Sequence, residues 1–301
     1  MAGTPAPGAV WVDGALVPAS DATVSAFDHG LVAGDGVFET VLIHDGYPFA
    51  LGRHLERLAR SATGIGLVPP PEPRLRTACE AVTSASGLLH GRLRVTVTAG
   101  PGPLGSGRGA GAPTVVVAAA PLDPWPPAAT VAVAPWPRNE RGALAGLKTT
   151  SYAENVVALA DAHQRGASEA VFANLAGNLC EGTGSNVFVA ARGRLVTPSL
   201  ASGCLAGVTR ALLIEALRDA GAVVAEEDVP VSALARGEVP EAFLTSTTRG
   251  VQPVSTVDGR ALAACPGPLT TDAAEAYARL LALGAIIETP TAASGGPRRR
   301  P

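Results

Sequence analysis

A proline-dense stretch in the middle of the chain, residues 121–128 (PLDPWPPA), constrains the fold more than any other feature. Proline fixes φ and lacks a backbone donor, so neither a helix nor a central strand can run through such a segment. It reads as a linker that divides the 301 residues into an N-terminal part, 1–120, and a C-terminal part, 129–288. Each part is of ordinary domain size.

Both parts mix strand and helix signals. Residues 10–17 (VWVDGALV) read as a strand, an Asp13-Gly14 turn and a return strand. Val37 to Ile43 is a second strand-like run, followed by an Asp45-Gly46 turn. Arg53 to Arg60 has helical spacing, with Leu55, Leu58 and Ala62 on one face. Arg92 to Ala99 and Thr114 to Ala119 read as strands around a glycine-rich loop, 100–111, that contains Arg108. After the linker the pattern predicts a strand from Thr130 to Ala134 and a helix from about Tyr152 to Arg165, closed by Gly166. Strands at 169–174 and 185–190 then flank a loop that carries Glu181, and a helix runs from Val208 to Asp219. Residues 241–248 (EAFLTSTT) form a strand ending in hydroxyls, and the tail from 289 to 301 reads as disordered.

Composition removes several classes of function. Hydrophobic residues make up 47% and charged residues 16%, enough apolar material for a sizeable core. A net charge of -3 offers no electrostatic footprint for nucleic acid or an anionic membrane. No apolar run approaches the ~18 residues of a membrane span. The N-terminus lacks the pattern of a secretion signal, so a cytoplasmic location is expected. Cys79, Cys180, Cys204 and Cys265 form no CxxC or Cys/His pattern, which points to reduced thiols and no metal.

The Lys+Arg total is 23, and Lys148 is its single lysine. Arginine serves wherever a permanent cation is enough, but it keeps its proton and forms no imine with a carbonyl. A lone lysine against that background is a candidate for amine chemistry, as a nucleophile and then as a base. Glu181, in CEGTGSN, could pair with a pyridinium nitrogen. Gly207-Val208-Thr209-Arg210 opens a helix, and Ser246 and Thr247 end a strand at a turn; both present N–H and O–H donors suited to a phosphate. Arg57 could add a charge-assisted bond. Taken singly, each has a blander reading: a solvated turn residue, a helix start, a β-prone turn, a solvated helix face.

At these residues the chain resembles the class IV aminotransferases, the fold type IV enzymes of pyridoxal 5'-phosphate (PLP). The segments are FDHGLVAGDGVFET, HLERL, LKTTSYAENVVALADAHQRGASEA, CEGTGSNVFV, LAGVTRALL and FLTSTTRGVQPV, in the family's order over about residues 10–260. The resemblance implies an α/β (α+β) protein of two domains with PLP in the cleft between them, and a homodimer. It implies that Lys148 holds the cofactor covalently and that Glu181 meets its ring nitrogen. Arg57, Val208, Thr209, Ser246 and Thr247 would bind the phosphate. Tyr152 would face the cofactor hydroxyl, although it follows Lys148 by four residues where branched-chain enzymes have five. Phe38 and Ala99 stand where D-amino-acid aminotransferases carry Tyr and Arg, while Arg94 matches an arginine of the branched-chain enzymes. The overall likeness is to the aminodeoxychorismate lyases, which implies release of aminobenzoate and pyruvate from a small amine. Arg94 and Arg108 are then candidate partners for its carboxylates, beside Phe38. The alternative is a branched-chain-like aminotransferase using 2-oxoglutarate. A non-catalytic PLP-binding protein is disfavoured by the retention of Lys148 together with Glu181.

Overall fold

The computed structural model describes residues 8–287; the tail expected to be disordered lies outside them. The first half opens with a hairpin, β1 (Ala9–Val12) and β2 (Ala15–Pro18), turned by Asp13 and Gly14. It continues with α1 (His29–Val32), β3 (Gly36–His44), β4 (Tyr47–Pro48), α2 (Leu51–Gly64), α3 (Glu72–Ser86), β5 (His90–Thr98) and β6 (Val115–Pro121). The six strands form one sheet in the order β2-β1-β6-β5-β3-β4, with every neighbouring pair antiparallel.

Strand alternation decides what this sheet shows to each side. On β5, Leu93, Val95 and Val97 enter the core under α2 and α3, which puts Arg92 and Arg94 on the opposite face. On β3 the odd positions Val37, Val41 and Ile43 join the same core. The even positions Phe38 and Thr40 share the other face with Arg94, which sits directly across from Thr40. The helix α2 buries Leu51, Leu55, Leu58 and Ala62 at helical spacing, and with them His54 and Arg57. Arg57 is therefore no solvated helix residue.

The second half contains β7 (Ala129–Val133), α4 (Ala153–Gln164), β8 (Glu169–Ala173), β9 (Leu179–Gly182), β10 (Asn186–Ala191) and β11 (Arg194–Thr197). It goes on through α5 (Val208–Asp219), β12 (Val224–Glu226), α6 (Val231–Ala235), β13 (Ala242–Ser246), β14 (Gly250–Val257), β15 (Arg260–Ala261) and α7 (Pro268–Ile287). Its nine strands run β12-β11-β10-β13-β14-β7-β8-β9, with β15 on β14. The parallel pairs β7/β8 and β11/β12 are joined through α4 and α5, as parallel neighbours require a crossover. Several elements differ from the sequence reading. Glu181 lies within a strand of its own, β9, instead of a loop between strands. The helices α3 and α7 fill stretches in which the sequence shows no clear period.

Residues 148–150 belong in sequence to the second half but pair with the first. The β4 strand covers only the far end of β3, so the near end keeps an open edge. There the Phe38 N–H donates to Lys148 O at 3.1 Å and the Thr150 N–H to Gly36 O at 2.8 Å. The Lys148 N–H donates to Ser61 Oγ of α2 at 3.1 Å.

The core of the second half holds Phe188 and Phe243 stacked at 4.8 Å with an 8° interplanar angle, both under 2% exposed. Phe188→Ala should lower the unfolding free energy of the apoprotein by about 3–5 kcal/mol, the range for deleting a buried aromatic ring. Denaturant titration measures it, and a loss under about 1 kcal/mol would mean the pair is not part of a tight core.

Candidate active site

Where the two sheets meet lies a cavity of about 540 Å³. It is lined by Phe38, Arg57, Arg94, Lys148, Tyr152, Glu181, Val208, Thr209, Ser246 and Thr247, which brings together all the residues singled out from sequence except Arg108. Arg108 instead grips Asp35 through two bonds of 2.6 and 2.7 Å and donates to the carbonyls of Ile65 and Gly66. Four of its five N–H donors are engaged there, away from the cavity lining, so the structure does not bring Arg108 to the site with the other candidates.

Lys148 enters the cavity from its anchor on the edge of β3. Its Nζ lies 4.3 Å from the centre of the Phe38 ring, and the Arg94 guanidinium carbon lies 3.7 Å from the same ring. Burial, opposed in part by the carboxylate of Glu39, lowers the amine to about 8. A proton then leaves it far more readily than from an ordinary lysine. The Tyr152 ring meets Phe38 edge-on at 5.4 Å, and its hydroxyl donates to Thr183 O at 2.8 Å. Burial pushes that phenol up to about 12, so it stays protonated.

Arg57 is held by a buried network. Its Nε and Nη2 each donate to Glu39 at 2.7 Å, and its Nη1 to Ala206 O at 3.0 Å. His54 Nδ1 lies 2.7 Å from the same carboxylate. Burial works against the charge on Glu39, but Arg57 and then His54 outweigh it and hold the carboxyl down at about 2. Burial also lowers His54, so the ring is neutral and its Nδ1–H donates.

The chain matches the model of the family "Amino-transferase class IV" over residues 36–257. A Methanocaldococcus jannaschii protein provisionally named a branched-chain-amino-acid aminotransferase is 33% identical over 84% of this chain and 89% of its own. The bifunctional aminodeoxychorismate lyase / D-amino acid transaminase of Mycobacterium tuberculosis is 31% identical, over 85% and 93%. Among solved structures, the branched-chain aminotransferase of Thermoproteus uzoniensis with norvaline superposes with a TM-score of 0.86 at 32% identity, over 92% of this chain and 96% of that one. A Mycobacterium tuberculosis chain described as a hypothetical aminotransferase in PLP-bound form reaches 0.81 at 28% identity, over 91% and 99%. The chain belongs to the class IV aminotransferases. It is accordingly a PLP-dependent transaminase or lyase with the fold type IV architecture.

The residues present fit the cofactor of this class IV enzyme at three points. Glu181 Oε2 accepts from the Leu205 N–H at 2.9 Å, but Oε1 has only Arg138 Nη2 at 3.6 Å, beyond hydrogen-bond reach. Burial raises this carboxyl, with Arg138 and the Leu205 N–H opposing. A buried carboxylate short of one partner suits a pyridinium nitrogen. The helix α5 starts at Gly207 with no side-chain cap, which leaves its first N–H groups for an anion. Thr245 Oγ1, also lining the cavity, is buried without a partner. Lys148 supplies the amine for the aldehyde. When bound, PLP draws electrons away from the amine-bearing carbon of a substrate.

Several residues of the site went unnoticed in the sequence. Glu39 and His54 fix Arg57, and Arg138 bonds Glu154 at 2.5 Å and Asn155 at 3.1 Å while facing Glu181. A signal existed for the first pair: Glu39 occupies an inward position of an apolar strand, and His54 and Arg57 stand three apart on the helix that covers it.

Between pH 8 and 10.5 the folded Lys148 amine has shed a proton that the unfolded chain still binds, so its contribution to stability rises with pH across that window. The stability of the apoenzyme relative to Lys148→Met, read by thermal melts, should rise accordingly, and a flat difference would indicate an ordinary lysine. Glu181→Gln should slow the chemical step by about 3 kcal/mol or more in barrier, while PLP stays bound through its phosphate. Single-turnover rates and PLP titration on the same variant separate the two effects.

Proposed function

We propose that this chain is an aminodeoxychorismate lyase, converting its substrate to aminobenzoate and pyruvate. The observation that carries the reading is Arg94, which lines the cavity together with Thr40, Asn139 and Ser151; Phe38, Leu144, Leu147 and Leu205 are the large apolar groups of the lining. A free guanidinium among hydroxyls and an amide suits a cyclic carboxylate better than a branched aliphatic side chain. Arg57 is paired with Glu39, and Arg138 with Glu154. Arg94 has no carboxylate within salt-bridge distance among the described residues, and it stands beside Lys148 across the Phe38 ring. It is the guanidinium left to hold a substrate carboxylate.

In this reading PLP is bound by Lys148, with Glu181 at the ring nitrogen and with Arg57, Val208, Thr209, Ser246 and Thr247 at the phosphate. Tyr152 keeps its hydroxyl proton on Thr183, so it offers the cofactor only a lone pair. Once the substrate's own amine has replaced it on the cofactor, the freed Lys148 Nζ would take the proton from the amine-bearing carbon, and Arg94 would fix the ring so that this carbon faces the amine. Loss of the side chain as pyruvate leaves an aromatic ring, which makes the step downhill. The likeness to the bifunctional Mycobacterium tuberculosis lyase supports this assignment. Residues 1–120 and 129–288 would act as two domains joined by 121–128, in a cytoplasmic homodimer; no described helix is long and apolar enough to cross a membrane.

The second reading is transamination of a hydrophobic amino acid with 2-oxoglutarate, supported by the names of the branched-chain relatives. It uses the same lysine and carboxylate and returns the proton to the cofactor. The discriminating assay measures pyruvate release from aminodeoxychorismate without an acceptor, alongside glutamate formation from branched-chain amino acids with 2-oxoglutarate. Pyruvate without acceptor is the expected result, and glutamate alone would overturn the lyase reading. Arg94→Gln should raise KM for the carboxylate substrate roughly 10–100-fold, the loss of one charge-assisted bond, with a smaller change in kcat.

A further inference from the structure

We propose that Asn186 is a positioning residue that locks the turn Leu205-Ala206-Gly207, and that this turn sets the spacing between the two ends of the cofactor cradle. The inference rests on the reading that places Glu181 at the ring nitrogen and Arg57 with α5 at the phosphate. Each residue of the turn serves a different part of that cradle. The Leu205 N–H donates to Glu181 Oε2 at 2.9 Å. The Ala206 carbonyl accepts from Arg57 Nη1 at 3.0 Å. Gly207 is the N-cap of α5, whose first N–H groups would meet the phosphate in this reading. Three consecutive residues thus tie the ring end to the phosphate end.

Asn186 holds this turn from the sheet. It is the first residue of β10, paired with Thr245 of β13, so its backbone is fixed by the ladder that also carries Ser246. Its side chain is buried, and Nδ2 donates to Leu205 O at 2.9 Å. Its Oδ1 occupies the space above Gly207: a Cβ built there would come within 1.9 Å of it. Gly207 has φ -63° and ψ 135°, a conformation open to any residue. The glycine is required there by the Asn186 amide and not by its own backbone. The two residues form one unit, an amide bonded to the first carbonyl of the turn and seated on its last Cα.

The test uses the purified enzyme stripped of PLP and titrated with it. The readouts are the PLP dissociation constant, the absorption maximum of the reloaded enzyme and the melting temperature of the apoprotein. Asn186→Ala should weaken PLP about tenfold or more and shift the absorption maximum, because Glu181 and Arg57 lose their common spacing. A residue of purely structural value would instead lower the apoprotein melting temperature and leave affinity and spectrum in place. Asn186→Asp keeps the shape but replaces the donor facing Leu205 O with an acceptor, and it should show the same losses if the alanine variant does not fold. Gly207→Ala should weaken PLP on its own, and adding Asn186→Ala to it should cost less than the two single losses combined, since the clash is then relieved. Wild-type affinity and spectrum in the Asn186 variants, or strict additivity with Gly207→Ala, would overturn the proposal. Arg57→Gln and Glu181→Gln run beside them: if these change PLP binding or the spectrum and the Asn186 variants do not, only the inference fails. If the Arg57 and Glu181 variants are themselves silent, the reading of the cradle falls and takes the inference with it.

Discussion

The main chain around Lys148 is bridged to the edge of a sheet to which it does not belong in sequence. Two backbone bonds to β3 and one side-chain bond from α2 fix it there. An uncovered strand edge is ordinarily a hazard, since it invites pairing with another chain. Here the short β4 leaves the near half of β3 open and residues 148–150 close it. The same bonds join the two halves of the molecule at the bottom of the cavity. The reactive amine, the Phe38 ring and the Glu39–Arg57 network are therefore referred to one rigid strand, whose odd residues grip α2 and whose even residues face the cavity.

Electrostatics inside the cavity follow from how its charges are paired. A buried ion pair gains little net stability, because desolvation offsets most of the attraction, but breaking one leaves a costly lone charge. Glu39 with Arg57 and His54 is closed in this sense, while the mostly buried Arg138 is paired with the half-exposed Glu154. Lys148, Arg94 and one oxygen of Glu181 are left open. The amine answers burial by falling toward neutrality, and the carboxyl by rising. The open groups sit where a ligand's own charges would complete them, while the closed groups hold the scaffold.

Much of this was legible in the sequence, and the exceptions have physical causes. The strands with clear alternation or Asp-Gly turns, β1 to β3 and β5, stand close to where the pattern places them, as does α5 from Val208 to Asp219. The helix α3 was missed because its buried positions, Leu75, Ala78, Cys79 and Val82, are mostly small, so its periodicity is faint. The Ala-rich α7 hides its start in the same way. Glu181 was read as a loop residue because glycines surround it, yet a four-residue strand between Leu179 and Gly182 pairs with β8. Lys148 stood out by rarity. Glu39, His54 and Arg138 did not, since their partners are distant in sequence and only the fold brings them together. Arg108 illustrates the converse: an arginine in a glycine-rich loop resembles a ligand contact until the fold supplies Asp35.

The single lysine has a further consequence for how the protein meets its cofactor. Free PLP is an indiscriminate aldehyde that condenses with any accessible primary amine, and a typical protein surface scatters it over many lysines. This chain carries its other 22 basic side chains as guanidiniums, which keep their protons and form no imine with the cofactor's aldehyde. Apart from the chain's own N-terminus, the one amine able to react stands at the end of the cavity shaped to receive the rest of the molecule. Among side chains, the outer surface thus offers no lysine on which the cofactor could be stranded as an imine away from its site.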